Sequence, residues 1–202
     1  MGILRGRIPA VIVLAALLAL GAWLNRGALA DVAAEGMQHA TDAAVEMAGA
    51  WLRRSRRQAL RAGVQPIPAG MRAKLARYFP ASLLDAVRYR VGVSTDPTLQ
   101  GLALGTKRKD AITLIDVVVF RNAKDARNDE LWAHELEHVC QFRRWGVEGF
   151  VRRYLKNDWA VEWKAYETEF TYERYLKGLV KHRHAPCPAR HRLPAFNPKP
   201  GP

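Results

Sequence analysis

The residues with the most pointed chemistry are His134, Glu135 and His138, in the run His134-Glu135-Leu136-Glu137-His138, an H-E-x-x-H arrangement. On an α-helix, four residues advance the chain by one turn and only ~40° of rotation, so both imidazoles project to one side and can share a metal ion. Glu135 lies ~100° from His134 on the adjoining face, too far round to complete the ligand set from the helix but placed to take a proton from an activated water. The pattern is that of a zinc-dependent hydrolase: His134 and His138 as ligands to Zn2+, Glu135 as general base.

Catalytic zinc usually has three protein ligands. A third histidine is not offered at the expected spacing, since position 141 is Gln, position 144 is Arg and the next histidine is His182. The downstream stretch supplies Glu162, Glu167, Glu169 and Glu173. Glu162 follows His138 by 24 residues, enough for the rest of one helix, a loop and an antiparallel second helix, and it is the expected third ligand. Glu167 is the runner-up, and the other two read as a solvated face. Tyr166 and Tyr172 on the same helix are candidate donors to a developing oxyanion.

These residues need elements that hold them. Asn128 can cap a helix that begins at Asp129, whose acidic first turn suits the dipole, and Gly146 is expected to end it. Its back, Trp132, Leu136 and Val139, is apolar. A second long helix is expected over residues 160–181. Upstream, residues 71–79 and a stretch from Ser82 read as short helices, Tyr89, Val91 and Val93 alternate as a half-buried strand, and Leu102 and Leu104 suit a further short strand. Residues 111–120 (AITLIDVVVF) are the most strand-like run, with an edge that an extended substrate could join. Cys140 points away from the ligand side and can either pair with Cys187 or stay a buried thiol. His182, His184, Cys187 and His191 fit a flexible tail better than a second metal cluster, because proline-rich surroundings rarely preorganise ligands.

The 202 residues allow one ordinary domain with appendages, and 49% apolar content supplies a core. Two cysteines exclude a disulfide scaffold and a zinc ribbon. Residues 1–30 carry Arg5, Arg7 and Arg26 and no acid, are uncharged over 8–24, and end in Ala28-Leu29-Ala30, which fits a signal peptide cleaved before Asp31 or a retained anchor. Removing its three arginines lowers the net charge from +13 to +10, so the excess belongs to the exported part. Residues 31–64 form a basic amphipathic helix, with Arg53, Arg54, Arg56, Arg57 and Arg61 around Trp51 and Leu52, able either to lie on an anionic membrane or cell-wall surface or to pack its apolar stripe on the main domain. Nucleic acid is not an expected partner: charge favours it, but no recognition motif is present and the export segment speaks against it. The expected layout is 1–30 address, 31–64 helix, 65–181 catalytic domain and 182–202 proline-rich tail.

The run H-E-L-E-H-V-C-Q with the following R-R-W-G and the E-x-x-A-Y stretch resembles the zincin-type metallopeptidase domain of the extracellular contractile injection system core family. The likeness runs over about residues 66–175 and includes I-P-A-G-M, the V-R-Y-R-V strand and the L-A-L-G step. It implies an α+β zincin-like fold, a small antiparallel sheet packed on the active-site helix and a second long helix, with His134 and His138 as zinc ligands and Glu135 as base. Gln141 matches the family pattern. Glu137 stands where members commonly carry a small residue, and is expected to accept from a ligand imidazole N–H. The reading is an exported, periplasmic or otherwise extracytoplasmic zinc peptidase acting on peptides or proteins. The alternative is a non-catalytic envelope protein that keeps the fold and binds through its basic surface.

Overall fold

The computed structural model describes residues 26–92, 110–184 and 187, with side chains from residue 34 onward. The expectations for residues 1–25, the strand at Leu102 and Leu104, His191 and the end of the tail lie outside them. The chain forms two compact units, Met1–Ala44 and Val45–Pro202. In the first, the described residues are helical, with Thr41 Oγ1 donating to the Met37 carbonyl (2.8 Å) and Gln38 bonded to Asp42 one turn on. All residues of the expected site belong to the second.

The elements are α1 (Arg26–Arg61), β1 (Gln65–Pro66), α2 (Ala69–Leu75), α3 (Ala81–Ala86), β2 (Arg88–Val91), β3 (Ala111–Leu114), β4 (Val117–Phe120), α4 (Asp129–Lys156) and α5 (Asp158–Leu176). Together they make an α+β fold with a four-stranded sheet in the order β1-β2-β4-β3. The sheet is mixed rather than antiparallel: β1/β2 and β3/β4 are antiparallel, while β2 and β4 run parallel. The composition of β4 explains this. Val117, Val118, Val119 and Phe120 are all fully buried, and a strand covered on both faces belongs inside the sheet, which sends β3 to the edge. The pleat then deals β4 to two cores. Val118 and Phe120 pack with Trp132, Leu136, Leu83 and Tyr172, whereas Val117 and Val119 pack with Leu52, Phe142, Phe150 and Val161.

Residues 111–120 are therefore a hairpin and not one strand. Its turn is a γ-turn of the rare left-handed kind: Ile115 has φ +69° and Asp116 N donates to Leu114 O (2.9 Å). A β-branched residue at positive φ carries no turn signal in sequence. The helix α4 starts as expected, with Asn128 Oδ1 accepting from Glu130 N and Leu131 N. At Gly146 (φ +69°, ψ 175°) it kinks and resumes to Lys156, so the glycine breaks the helix without ending the helical run. Helix α5 starts two residues earlier than expected, at Asp158, and ends five residues earlier, at Leu176.

From Val45 on, α1 packs its apolar stripe inward: Val45, Leu52 and Ala59 are buried. Part of its basic character is also turned inward. Arg56, 6% exposed, holds Asp116 with a two-pronged contact, Nη2 to Oδ2 at 2.8 Å and Nε to Oδ1, and Arg53 pairs with Glu148. Among the described residues no helix is long and apolar enough to cross a membrane.

Candidate metal centre

The cap at Asn128 and the apolar back of α4 fix the rotation of that helix, and His134 and His138 thereby face α5 one turn apart. Their Nε2 atoms are 3.2 Å from each other. Glu162, from the first turns of α5, brings Oε2 to 3.4 Å from His134 Nε2 and 3.6 Å from His138 Nε2. The expected third ligand thus meets the two histidines. Glu167 does not: its carboxylate pairs with Lys164 (2.6 Å) at the surface.

The hydrogen bonds at the far ring atoms decide what these three donors want. Val161 O can only accept, so Gln141 points its amide nitrogen there (2.9 Å) and its carbonyl at His138, whose Nδ1–H donates to it (2.9 Å). The Glu169 carboxylate accepts from His134 Nδ1–H (3.2 Å). With Nδ1–H of each ring committed, both rings turn Nε2 toward each other and toward a carboxylate oxygen, an arrangement that calls for a cation. A tetrahedral zinc site with bonds of about 2.0–2.1 Å has ligand–ligand edges of about 3.3–3.4 Å, and the three separations here fall around that value. The residues fit Zn2+ in both donor type and spacing.

In the metal-free chain a proton takes that place. Burial by itself would lower the His134 pKa, but hydrogen bonds to Glu162 and Glu169, with the charges of Glu135 and Glu162, outweigh it and raise the value to about 9. The shift is upward from 6.5, so the stability it gives the metal-free protein is fully present below about 6.5 and lost as pH rises through about 9. Metal uptake must expel the proton. Zinc titrations at constant ionic strength are expected to show tighter apparent binding from pH 6.5 to 9 with about one proton released, and a flat profile would contradict this.

Two of the supporting residues escaped the sequence reading of their roles. Glu169, assigned to a solvated face, orients His134, and Gln141 orients His138. Replacing either (Glu169→Gln, Gln141→Leu) is expected to weaken zinc binding by about 10- to 100-fold while the fold persists, measured by competition with a chromophoric chelator. Glu137 does not serve a ligand imidazole as expected. Its carboxylate, 1% exposed, accepts from His184 Nε2 (2.7 Å) and from Thr168 (3.4 Å), because the residue faces the other side of α4. His184 is therefore fixed and not part of a loose tail, and the adjacent Cys140–Cys187 disulfide (Cα–Cα 5.2 Å) removes both sulfurs from metal binding.

Glu135 is buried, and its Oε2 accepts from Thr113 Oγ1 (2.7 Å) on edge strand β3; Thr113 also donates to the Glu135 carbonyl (3.1 Å). Glu135 is thus tied to β3 as well as to its own helix. Of the two tyrosines, the Tyr166 ring stands against His134 with centroids 4.7 Å apart. Tyr172 lies in the core with its hydroxyl on Asp129 (3.2 Å), and burial followed by the Asp129 charge raises its pKa, so it is not a site residue. Tyr154, which the sequence reading passed over, donates to Glu162 Oε1 (3.0 Å). Glu135, His138 and Glu162 open into one cleft of about 300 Å³.

No curated protein and no solved structure matches the chain. Residues 66–146 match the family model of the eCIS core domain, a span that runs from β1 to the Gly146 kink and contains His134, Glu135 and His138 but stops short of Glu162 and Glu169. Over that span the chain is similar to the eCIS core domain.

Proposed function

We propose that the chain is an exported, zinc-dependent peptidase with a zincin-like catalytic domain, His134, His138 and Glu162 holding the metal and Glu135 acting as general base. The observation that carries this reading is the meeting of two Nε2 lone pairs and a carboxylate oxygen 3.2–3.6 Å apart, with Glu135 opening into the same cleft. Zinc held there supplies a Lewis acid that acidifies water and polarises a peptide carbonyl. Thr113 holds Oε2 of Glu135, leaving Oε1 to take a proton from the attacking water and return it to the leaving amine. Tyr166, beside His134, is the donor proposed for the developing oxyanion. The edge of β3, which carries Thr113, offers an extended substrate backbone a strand to align with. The Cys140–Cys187 disulfide supports an oxidising, extracytoplasmic location.

The test is the metal content of the purified chain beside His138→Ala and Glu162→Ala. About one zinc in the native protein, lost in each variant, is the expected result. A native chain that is metal-free under conditions that do not strip zinc overturns the reading in favour of a non-catalytic envelope protein that binds through its basic surface.

A further inference from the structure

The cleft that receives Glu135, His138 and Glu162 is polar only at that end. Ala48, Trp51 and Leu52 of α1 form one wall, and Phe150 and Val151, on the part of α4 beyond the Gly146 kink, form another. Among the described residues no lysine or arginine lines it, and the charges that face it are Glu135 and Glu162. The matched family span begins after α1 and ends at the kink, so both walls are contributed from outside it.

We propose that this cleft is a specificity pocket for a large apolar side chain of the substrate, leucine or phenylalanine in kind, next to the bond presented to Glu135. The proposal rests on the peptidase reading for the identity of the ligand as a peptide. The physics is one of exclusion as much as attraction. An apolar side chain loses only water on entering, and each buried methylene gains about 0.8 kcal/mol. A carboxylate side chain would be desolvated between the apolar walls with no lysine or arginine there to pair with it, and would meet the like charge of Glu135 at the end of the cleft. A cleft of about 300 Å³ lies at the small end of ligand pockets, the size for one side chain and not for a folded segment. Ala48 is the small residue of the α1 wall and sets how much room remains.

The test uses the full chain with Glu135→Gln, with and without zinc, and a set of decapeptides that differ at one central position: Leu, Phe, Ala, Asp. Binding is read by calorimetry. Leu and Phe peptides are expected to bind at least about 10-fold more tightly than Ala or Asp peptides, the discrimination an apolar pocket gives. Ala48→Trp, added to that background, is expected to abolish the preference, with the melting transition showing that the variant is folded. If Ala48→Trp does not fold, Trp51→Ala takes its place and is expected to weaken Leu and Phe binding toward the Ala level. Equal binding of all four peptides, or a preference untouched by a folded wall variant, overturns the proposal. Selective apolar binding in a chain whose native form cleaves no peptide leaves the pocket standing and removes the peptidase reading. Cleavage of Leu and Asp peptides at equal rates does the reverse.

Discussion

Glu135→Gln is expected to lower peptide cleavage by about 10²- to 10⁴-fold with the zinc content unchanged, because it removes the proposed general base and leaves the three proposed ligands in place. Glutamine keeps the volume and one oxygen able to accept from Thr113 Oγ1, so the side chain stays where it is and loses only its affinity for a proton. The comparison with Thr113→Val separates chemistry from placement. Thr113 does not touch the donors of the metal site; it holds the Glu135 carboxylate from β3, and a hydrogen bond to a charged group contributes about 1.5–3 kcal/mol. Thr113→Val is therefore expected to cost about 10- to 100-fold in cleavage, less than Glu135→Gln, with the zinc content unchanged. Zinc content by emission spectrometry and single-turnover cleavage measure both. Undiminished cleavage by zinc-loaded Glu135→Gln would end the assignment of Glu135 as base.

Helical periodicity made part of this site legible before any fold was known. Four residues on one helix return to one face, so the shared side of His134 and His138 and the separate side of Glu135 follow from spacing alone. Glu162 follows from a weaker premise, that a loop and an antiparallel helix fit into 24 residues, and it meets the histidines while Glu167 does not. What stayed hidden was the layer of partners behind the ligands. Glu169 was indistinguishable from its neighbours because its role depends on how far α5 is rotated, which is set by the burial of Val161, Ala165, Thr168 and Tyr172, one side of that helix. Thr113 was hidden for a related reason. With residues 111–120 read as one strand, nothing placed Thr113 next to Glu135 on α4. The hairpin is enforced from outside the local sequence, by the burial of β4 on both faces and by Arg56, 60 residues upstream. The same distance effect turned the basic helix partly inward. Composition counts arginines but does not say which of them meets Asp116.

That contact yields the largest expected effect on stability. Asp116→Ala should destabilise the chain by about 3–5 kcal/mol, because it leaves Arg56, 6% exposed, as an uncompensated buried charge. Two further losses fall at the same point. Arg143, whose pKa is lowered by burial, is partly sustained by the Asp116 charge and loses that support. The γ-turn at Ile115, held at positive φ, loses the side-chain clamp that adjoins it, although Asp116 O still accepts from Arg88 N (3.0 Å). Since β3 ends at this turn and carries Thr113, the damage should reach Glu135 before the fold is lost, and cleavage should fall at temperatures well below the melting transition. The paired replacement Arg56→Met with Asp116→Leu distinguishes a missing charge partner from a missing shape. Replacing both members of a buried pair by apolar groups of similar size is often close to neutral, so the double variant is expected to recover most of the loss in chemical denaturation. A double variant as unstable as Asp116→Ala alone would mean that the carboxylate is needed for the turn itself and not for Arg56.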